Sequence, residues 1–161
     1  MHKVYLHLGS NQGDRLQMLN DSLGQIGEKI GKIQLKSSVY ETEPWGLKDQ
    51  ANFLNMAIEV KTKLTVEEVF NISKEIEQTL GFPKQIKWGP RSIDIDILYF
   101  DNEIIDTEKL KLPHPQLYNR NFVLIPMMEI AGDYIDPIKN VSIDELYDVC
   151  TDTCEVFLYE E

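Results

Sequence analysis

Residues 88–97 read Trp-Gly-Pro-Arg-Ser-Ile-Asp-Ile-Asp-Ile, and this stretch is the most informative in the chain. The alternation of isoleucine and aspartate is typical of a β-strand, in which successive side chains point to opposite faces. Asp94 and Asp96 therefore share one face, with Cα atoms about 6.5–7 Å apart. Ile93, Ile95 and Ile97 share the other face, and we expect them to enter the hydrophobic core.

Paired carboxylates on one strand face predict a cation site. Two ionised carboxylates side by side repel each other, so a site that keeps both charged usually supplies a cation. Carboxylate oxygens are hard ligands that suit Mg²⁺. Arg91 lies just upstream and offers a guanidinium fork that fits phosphate. The pattern thus indicates metal-assisted chemistry on a phosphorylated substrate. The alternative is that Asp94 and Asp96 are polar residues on the solvated face of a half-exposed strand.

The size and composition are those of a globular protein. The chain has 161 residues, which suits a single domain over residues 1–161. We expect a cytoplasmic protein, since the N-terminus lacks a charged-then-apolar signal region and the longest apolar run is too short to span a membrane. Cys150 and Cys154 have no second cysteine pair or histidine nearby, so we interpret them as buried or idle thiols.

The chain is acidic overall, but its basic residues are concentrated around the aspartates. A net charge of −11 argues against binding to a nucleic-acid backbone, which needs a basic surface. The basic residues nevertheless lie in two groups around the aspartates: Lys84, Lys87 and Arg91 before them, and Lys109, Lys111, His114 and Arg120 after them. A basic pocket within an acidic protein is consistent with a polyphosphate site.

The order of predicted elements indicates an α+β fold. Strands are expected at residues 3–8, 34–40, 53–60 and from 94 onward, with helices over residues 16–30 and after the capping box Thr65–Glu68. A short strand around residues 104–105, an irregular linker at 112–115, a helix over 118–131 and a short helix after Ser142 follow. This βαββαβ order predicts a ferredoxin-like sandwich, with a largely antiparallel sheet, helices packed on it and extra C-terminal elements.

Two aromatic residues bracket a polar loop between the second and third strands. Trp45 and Phe53 could be walls for a flat heterocycle, with Thr42 and Asn55 supplying hydrogen bonds. The alternative is that both aromatic residues simply belong to the core.

The run from Trp88 to Leu98 resembles the signature of the 6-hydroxymethyl-7,8-dihydropterin pyrophosphokinase family. Motifs similar to those of the family occur in order through nearly the whole chain, at Leu8–Asp14, Tyr40–Pro44, Gln50–Asn55, Leu112–Pro115 and Asn119–Leu124. Several separate motifs in one order are highly specific. The resemblance implies transfer of the β,γ-pyrophosphoryl group of ATP to the hydroxymethyl group of the pterin, with AMP as the other product.

The resemblance also assigns site residues. Asp94 and Asp96 would hold two Mg²⁺ ions, and Arg91 and Lys84 would join them as catalytic residues. The pterin would contact Thr42, Pro44, Trp45, Phe53, Asn55 and Phe122. ATP, the co-substrate, would contact Lys74, Glu77, Trp88, Arg91, Ile97, Lys109, His114 and Arg120. Lys84 and Lys87 stand where arginines are familiar in the family, and lysine lacks the bidentate geometry of arginine.

Two rival functions use the same residues. A metal-dependent phosphohydrolase would release phosphate or pyrophosphate without any pterin, and a regulatory module of the same fold would bind a ligand without chemistry. For the pyrophosphokinase we expect ATP and 6-hydroxymethyl-dihydropterin as small-molecule partners, no nucleic-acid or membrane partner, and a monomer.

Overall fold

The computed structural model describes residues 1–43, 51–81 and 92–160. Eight strands, four α-helices and a short 3-10 helix at Leu117–Asn119 lie within these ranges. The strands are β1 (His2–Ser10), β2 (Lys32–Lys36), β3 (Tyr40–Thr42), β4 (Phe53–Thr62), β5 (Asp94–Phe100), β6 (Ile105–Asp106), β7 (Lys111–Leu112) and β8 (Val156–Leu158). The α-helices are α1 (Arg15–Lys29), α2 (Val66–Leu80), α3 (Asn121–Ala131) and α4 (Ile143–Val149).

The main sheet has the strand order β5-β1-β4-β3-β8, and β2 pairs with the other end of β4. The described pairings in this sheet are antiparallel. In the succession from β1 to β5, strand β1 lies between β5 and β4, as in the ferredoxin-like arrangement. The expected α+β fold is confirmed. β6 and β7 form a separate two-stranded ribbon beside β5.

Local sequence signals set the starts of the helices. Asp14 is the N-cap of α1 and accepts a hydrogen bond from the backbone N–H of Gln17 at 3.1 Å. Thr65 and Ser142 begin α2 and α4 with complete capping boxes, as their spacing predicts. Each cap satisfies backbone N–H groups that the first helical turn leaves without a partner.

The sheet carries helices on both faces. Val4, Leu6 and Leu8 of β1 have 0% exposure and pack with α1 and α2 on one face. The other face packs Tyr5 and Tyr99 against α3 and α4. Fully burying one such side chain stabilises the fold by about 1.5–3 kcal/mol. β1 is therefore buried from both sides, which fixes the register of β5, the neighbouring strand that carries both aspartates.

The extra C-terminal elements are tied to the sheet by a buried carboxylate. Asp136 is fully buried, and its Oδ2 accepts hydrogen bonds from the hydroxyls of Tyr99 at 2.6 Å and Tyr118 at 2.8 Å. Its Oδ1 accepts the backbone N–H groups of Ile138 and Lys139. These bonds compensate the desolvation of the charge, so the carboxylate is fully used in holding the segment after α3.

Three predicted boundaries are wrong. The single strand expected over residues 34–40 divides into β2 and β3, because Glu129 of α3 accepts the backbone N–H of Ser38 at 2.9 Å and draws it out of the ladder. The helix expected over residues 118–131 starts at Asn121, after the 3-10 helix. Leu112, expected in an irregular linker, belongs to β7, where it pairs with Ile105.

Within the residues that the structure describes, none of the helices has the length and apolar character needed to cross a bilayer.

Candidate active site

The aspartate pair lies on the first half of β5. Asp94 pairs with Gly9 of β1, and Asp96 pairs with His7. Both carboxylates are half-buried, whereas Ile93, Ile95 and Ile97 are 1%, 1% and 4% exposed. The predicted alternation is confirmed. Because residues paired across a sheet project on the same side, the carboxylates share the α3 face with His7.

Among the described residues, few candidate metal ligands lie around Asp94 and Asp96. In the part of the chain that the structure describes, no cluster of three or more histidine, cysteine, aspartate or glutamate side chains is arranged to hold a metal ion. Two carboxylates are nevertheless the protein ligands that Mg²⁺ commonly takes when phosphates and water complete its shell. Asp94 and Asp96 therefore fit Mg²⁺ that is bound together with a polyphosphate.

His7 is a site residue that the sequence reasoning missed. It is 4% exposed, and its Nε2 lies 3.1 Å from the carbonyl oxygen of Phe122. Burial lowers the pKa of His7 to about 4, although the charge of Asp96 and the Phe122 carbonyl oppose that shift. His7 is thus neutral at pH 7, and its Nε2–H donates to the carbonyl.

Proline explains why that carbonyl accepts a side-chain donor. Pro126 lies inside α3 and has no backbone N–H. In an α-helix the N–H of residue 126 would bond to the carbonyl of residue 122. His7 replaces this missing donor and thereby joins β1 to the first turn of α3.

Arg120 brings positive charge to the aspartates. It is the N-cap residue of α3, and its Cζ lies 5.5 Å from the centroid of the Phe122 ring. Burial lowers the pKa of Arg120, while the charges of Asp96, Asp94 and Asp152 oppose that shift. An arginine remains protonated in this setting, so a cation suited to phosphate lies beside the carboxylate pair.

A cleft of about 220 Å³ opens beside the outer edge of β5. It lies between α2, the β5 edge and the β6–β7 ribbon, next to Asp96. Its lining residues are Phe70, Ser73, Lys74, Ile95, Asp96, Ile97, Glu108, Lys109, Leu110, Lys111, His114 and Pro115. Four residues expected to contact ATP therefore come together here: Lys74, Ile97, Lys109 and His114.

Glu77 closes one end of the β5 edge. Its Oε2 accepts the backbone N–H of Ile95 at 2.7 Å, and its Oε1 lies 3.2 Å from Nζ of Lys74. Burial raises the pKa of Glu77, and Lys74 and the Ile95 N–H act in the opposite direction. The Glu77 side chain therefore holds the backbone of Ile95, which lies between the two aspartates. Sequence spacing does not reveal this role.

His114 is fixed by its own backbone turn. The backbone N–H of His114 donates to the carbonyl of Leu98 at 3.0 Å. The ring Nδ1 of His114 accepts the backbone N–H of Gln116 at 3.1 Å. Burial lowers the pKa of His114, although Asp96 opposes that shift. With Nδ1 acting as an acceptor, the neutral ring carries its proton on Nε2 and can donate it to a ligand in the cleft.

A second, polar pocket lies on the same sheet face across β1. Thr42 and Asn55 are 2% and 1% exposed, and Nδ2 of Asn55 donates to Oγ1 of Thr42 at 2.8 Å. Asn55 pairs with Gly9, which itself pairs with Asp94. Two interstrand spacings place Asn55 about 10 Å from Asp94.

Gly9 packs closely against the side chains of this pocket. A Cβ at Gly9 would lie 3.3 Å from Oδ1 of Asn55 and 3.7 Å from the Phe53 ring. Phe53 and Phe122 are each half-buried. The expected residues Thr42, Phe53 and Asn55 therefore lie together. The remaining expected residues, Pro44, Trp45, Lys84, Trp88 and Arg91, lie outside the described residues.

The sequence is similar to those of known proteins. The profile of the family described as 7,8-dihydro-6-hydroxymethylpterin-pyrophosphokinase (HPPK) matches residues 5–132. A curated Bacillus subtilis protein named 2-amino-4-hydroxy-6-hydroxymethyldihydropteridine pyrophosphokinase is 46% identical over 129 residues, covering 80% of this chain and 77% of that protein. An Aquifex aeolicus protein of the same name is 41% identical over 145 residues, covering 90% of each chain.

Solved structures are similar in fold. A Plasmodium falciparum HPPK-DHPS structure superposes with a TM-score of 0.72 at 18% identity, covering 92% of this chain. This chain spans 43% of the length of that protein. At this identity the likeness concerns the fold alone.

Proposed function

The chain belongs to the 7,8-dihydro-6-hydroxymethylpterin-pyrophosphokinase family, and we propose on this premise that it transfers pyrophosphate from ATP to 6-hydroxymethyl-7,8-dihydropterin. The products are AMP and the pterin diphosphate, and the reaction is a step of folate biosynthesis. The bond that forms joins the hydroxymethyl oxygen to the β-phosphorus of ATP. The bond that breaks joins that phosphorus to the oxygen of the α-phosphate, and the hydroxyl proton is released.

One structural relationship carries the proposal. Asp94, Gly9 and Asn55 are consecutive partners on three adjacent strands. The carboxylate pair therefore lies between the nucleotide cleft at the β5 edge and the polar pocket at Asn55. A pyrophosphoryl donor and its acceptor could meet at the aspartates, which is what an in-line transfer requires.

The cleft supplies the ATP contacts. The N–H of Ile95 faces α2, away from β1, and the ladder alternation turns the backbone of Ile97 to the same side. Ile97 can thus offer a donor and an acceptor to the edge of a purine base. Lys74, Lys109, His114 and Arg120 would neutralise the phosphates, whose charge spreads over several oxygens during transfer.

The polar pocket supplies the pterin contacts. Asn55 and Thr42 would read the donor and acceptor edge of the heterocycle, and Phe53 and Phe122 would cover its faces. The buried hydrogen bond between Asn55 and Thr42 holds the amide in one orientation. An amide fixed in this way can discriminate a ligand that matches its donor and acceptor from one that does not.

Metal binding would involve the aspartates. Asp94 and Asp96 would each contribute carboxylate oxygens to two Mg²⁺ ions, with phosphate oxygens and water as the other ligands. When bound, Mg²⁺ neutralises phosphate charge and orients the reacting groups. The protein needs no covalent nucleophile, because this transfer depends chiefly on positioning and charge neutralisation.

Roles for the residues outside the described ranges remain proposals from the resemblance. Arg91 and Lys84 would neutralise charge that develops on the transferred group, Trp88 would contact ATP, and Pro44 and Trp45 would contact the pterin. The single domain, the monomeric state and the cytoplasmic location likewise stay predictions.

The deciding experiment incubates the protein with ATP, Mg²⁺ and 6-hydroxymethyl-7,8-dihydropterin. AMP and the pterin diphosphate should appear in equal amounts, and AMP should not form when the pterin is left out. Release of inorganic phosphate or pyrophosphate without pterin would favour a phosphohydrolase. Binding of ATP without any turnover would favour a ligand-binding module.

A further inference from the structure

The first turn of α3 is held by a residue near the end of the chain. Oδ2 of Asp152 accepts the backbone N–H of Asn121 at 2.9 Å, and the carbonyl of Asp152 accepts Nδ2 of Asn121 at 2.8 Å. Oδ1 of Asp152 accepts the backbone N–H of Cys154 at 2.9 Å. Both carboxylate oxygens are therefore used: Oδ2 fixes the first residue of α3, and Oδ1 fixes the backbone of the C-terminal segment itself.

Arg120, the N-cap of α3, makes no side-chain capping bond. The N–H groups of a first helical turn need acceptors and favour a negative charge nearby. Asp152 supplies both from a distant part of the chain. It also places a negative charge near Arg120. The charges of Asp94, Asp96 and Asp152 all favour the protonated form of this arginine.

The same segment reaches the polar pocket. After Cys154 the chain enters β8, where Val156 pairs with Thr42 of β3, and the N–H of Tyr159 donates to the carbonyl of Val39 at 2.9 Å. Residues 152–159 therefore join the start of α3, which carries Arg120 and Phe122, to the strand that carries Thr42. These residues lie beyond residue 132, where the family match ends.

We propose that Asp152 is a positioning residue that sets Arg120 for the bound nucleotide by anchoring the first turn of α3 to the C-terminal segment. The inference rests on the proposed function, since Arg120 is assigned there to the phosphates. Asparagine at position 152 would leave one acceptor oxygen for the backbone N–H groups of both Asn121 and Cys154, and Arg120 would lose a counter-charge that does not compete for Mg²⁺. Arg120 would then be drawn further toward Asp94 and Asp96, at the expense of both metal and phosphate binding.

The test measures nucleotide binding in the absence of turnover. α,β-Methylene-ATP cannot be cleaved at the bond that the transfer breaks, so calorimetric titration of the full chain with it and Mg²⁺ reports binding alone. Asp152→Asn should raise Kd about three- to five-fold, the factor expected when a partly exposed charge pair is lost. Asp148→Asn removes the same charge from an exposed position of α4 and should leave Kd unchanged.

A double-mutant cycle separates positioning from a general structural role. If Asp152 acts through Arg120, adding Asp152→Asn to Arg120→Ala should change Kd by less than about two-fold. Asn121→Ala removes one of the two anchoring bonds while keeping a good helix former, and should raise Kd in the same direction if Asp152→Asn does not fold.

Wild-type Kd in Asp152→Asn, or an undiminished effect of that change in the Arg120→Ala background, would overturn the inference. A wild-type protein that binds the analogue but forms no AMP with the pterin would instead overturn the proposed function. The comparison of binding constants would still decide the role of Asp152 in that case.

Discussion

The imidazole of His7 donates a hydrogen bond to the backbone carbonyl of Phe122, with 3.1 Å between Nε2 and the oxygen. The bond links the strand paired with the aspartates to the helix that carries Arg120 and Phe122. It exists because Pro126 cannot supply the intrahelical donor for that carbonyl. A helix-breaking residue thus creates the attachment point by which the helix is held over the site.

Loss of this donor should be costly. His7→Ala leaves a buried carbonyl unsatisfied and opens a small cavity, so we expect the free energy of unfolding to fall by about 2–4 kcal/mol. His7→Gln retains an N–H donor and should lose less than half as much. Urea unfolding followed by circular dichroism measures both changes. Equal losses in the two variants would show that the hydrogen bond to Phe122 is not the reason for the effect.

The same histidine should make stability depend on pH. Its pKa is lowered to about 4 in the folded protein, from an ordinary value of 6.5. Below pH 6.5 the unfolded chain gains a proton that folded His7 does not, so stability present above that pH is lost as pH falls toward 4. The groups that act on the ring are Asp96, Arg120, His114 and the Phe122 carbonyl.

Urea unfolding between pH 7 and pH 4.5, without Mg²⁺, should show wild type losing stability faster than His7→Gln. The difference should approach at most about 1.4 kcal/mol per pH unit. Parallel pH profiles for the two proteins would exclude His7 as the source of the dependence.

Asp96 should be essential for turnover but not for folding. Asp96→Ala removes half of the carboxylate pair, and we expect AMP formation in the presence of pterin to fall by at least about 100-fold. The melting temperature should stay close to that of wild type, because the loss of a counter-charge for Arg120 is offset by the removal of repulsion between two neighbouring carboxylates. Asp148→Ala, at an exposed position of α4, provides the matched control and should keep full activity. Normal turnover in Asp96→Ala would refute the metal role.

Gly9→Ala tests the polar pocket without removing any of its groups. The added Cβ would lie 3.3 Å from Oδ1 of Asn55, so the amide must shift by a few tenths of an ångström. We expect KM for the pterin to rise about ten-fold, as for other sites built to match a polar ligand edge, with KM for ATP little changed. Steady-state kinetics with each substrate varied in turn measure the two values. A rise in KM for ATP alone would place the acceptor elsewhere.

The parts of the fold that follow from local rules can be predicted from sequence. The isoleucine–aspartate alternation around the start of β5 and the capping boxes at Thr65 and Ser142 each depend on residues within four positions of one another. Strand order follows from the βαββαβ succession. The break between β2 and β3 cannot be predicted in this way, since it depends on Glu129 of α3, which is 91 residues from Ser38.

The site residues likewise fall into those that can be predicted from the sequence and those that cannot. The aspartate pair, Thr42 and Asn55 can be proposed from spacing and from the resemblance of their motifs. His7 gives no local signal, because its partner carbonyl is 115 residues away and is released by a third residue, Pro126. Asp152 and the bond from Ile95 to Glu77 escape sequence reasoning for the same reason, since each joins segments distant along the chain.

The outer edge of β5 borders the cleft that we propose for ATP, and an open strand edge is ordinarily exposed to aggregation. An unpaired strand edge invites another strand to add to it. Here the N–H of Ile95 is taken by Glu77, and the carbonyl of Leu98 is taken by the N–H of His114. The backbone of Ile97 between them is left for a ligand, but a foreign strand would find its neighbouring ladder positions occupied. Glu77 and His114 thereby protect this edge of β5 against pairing with a strand of another chain.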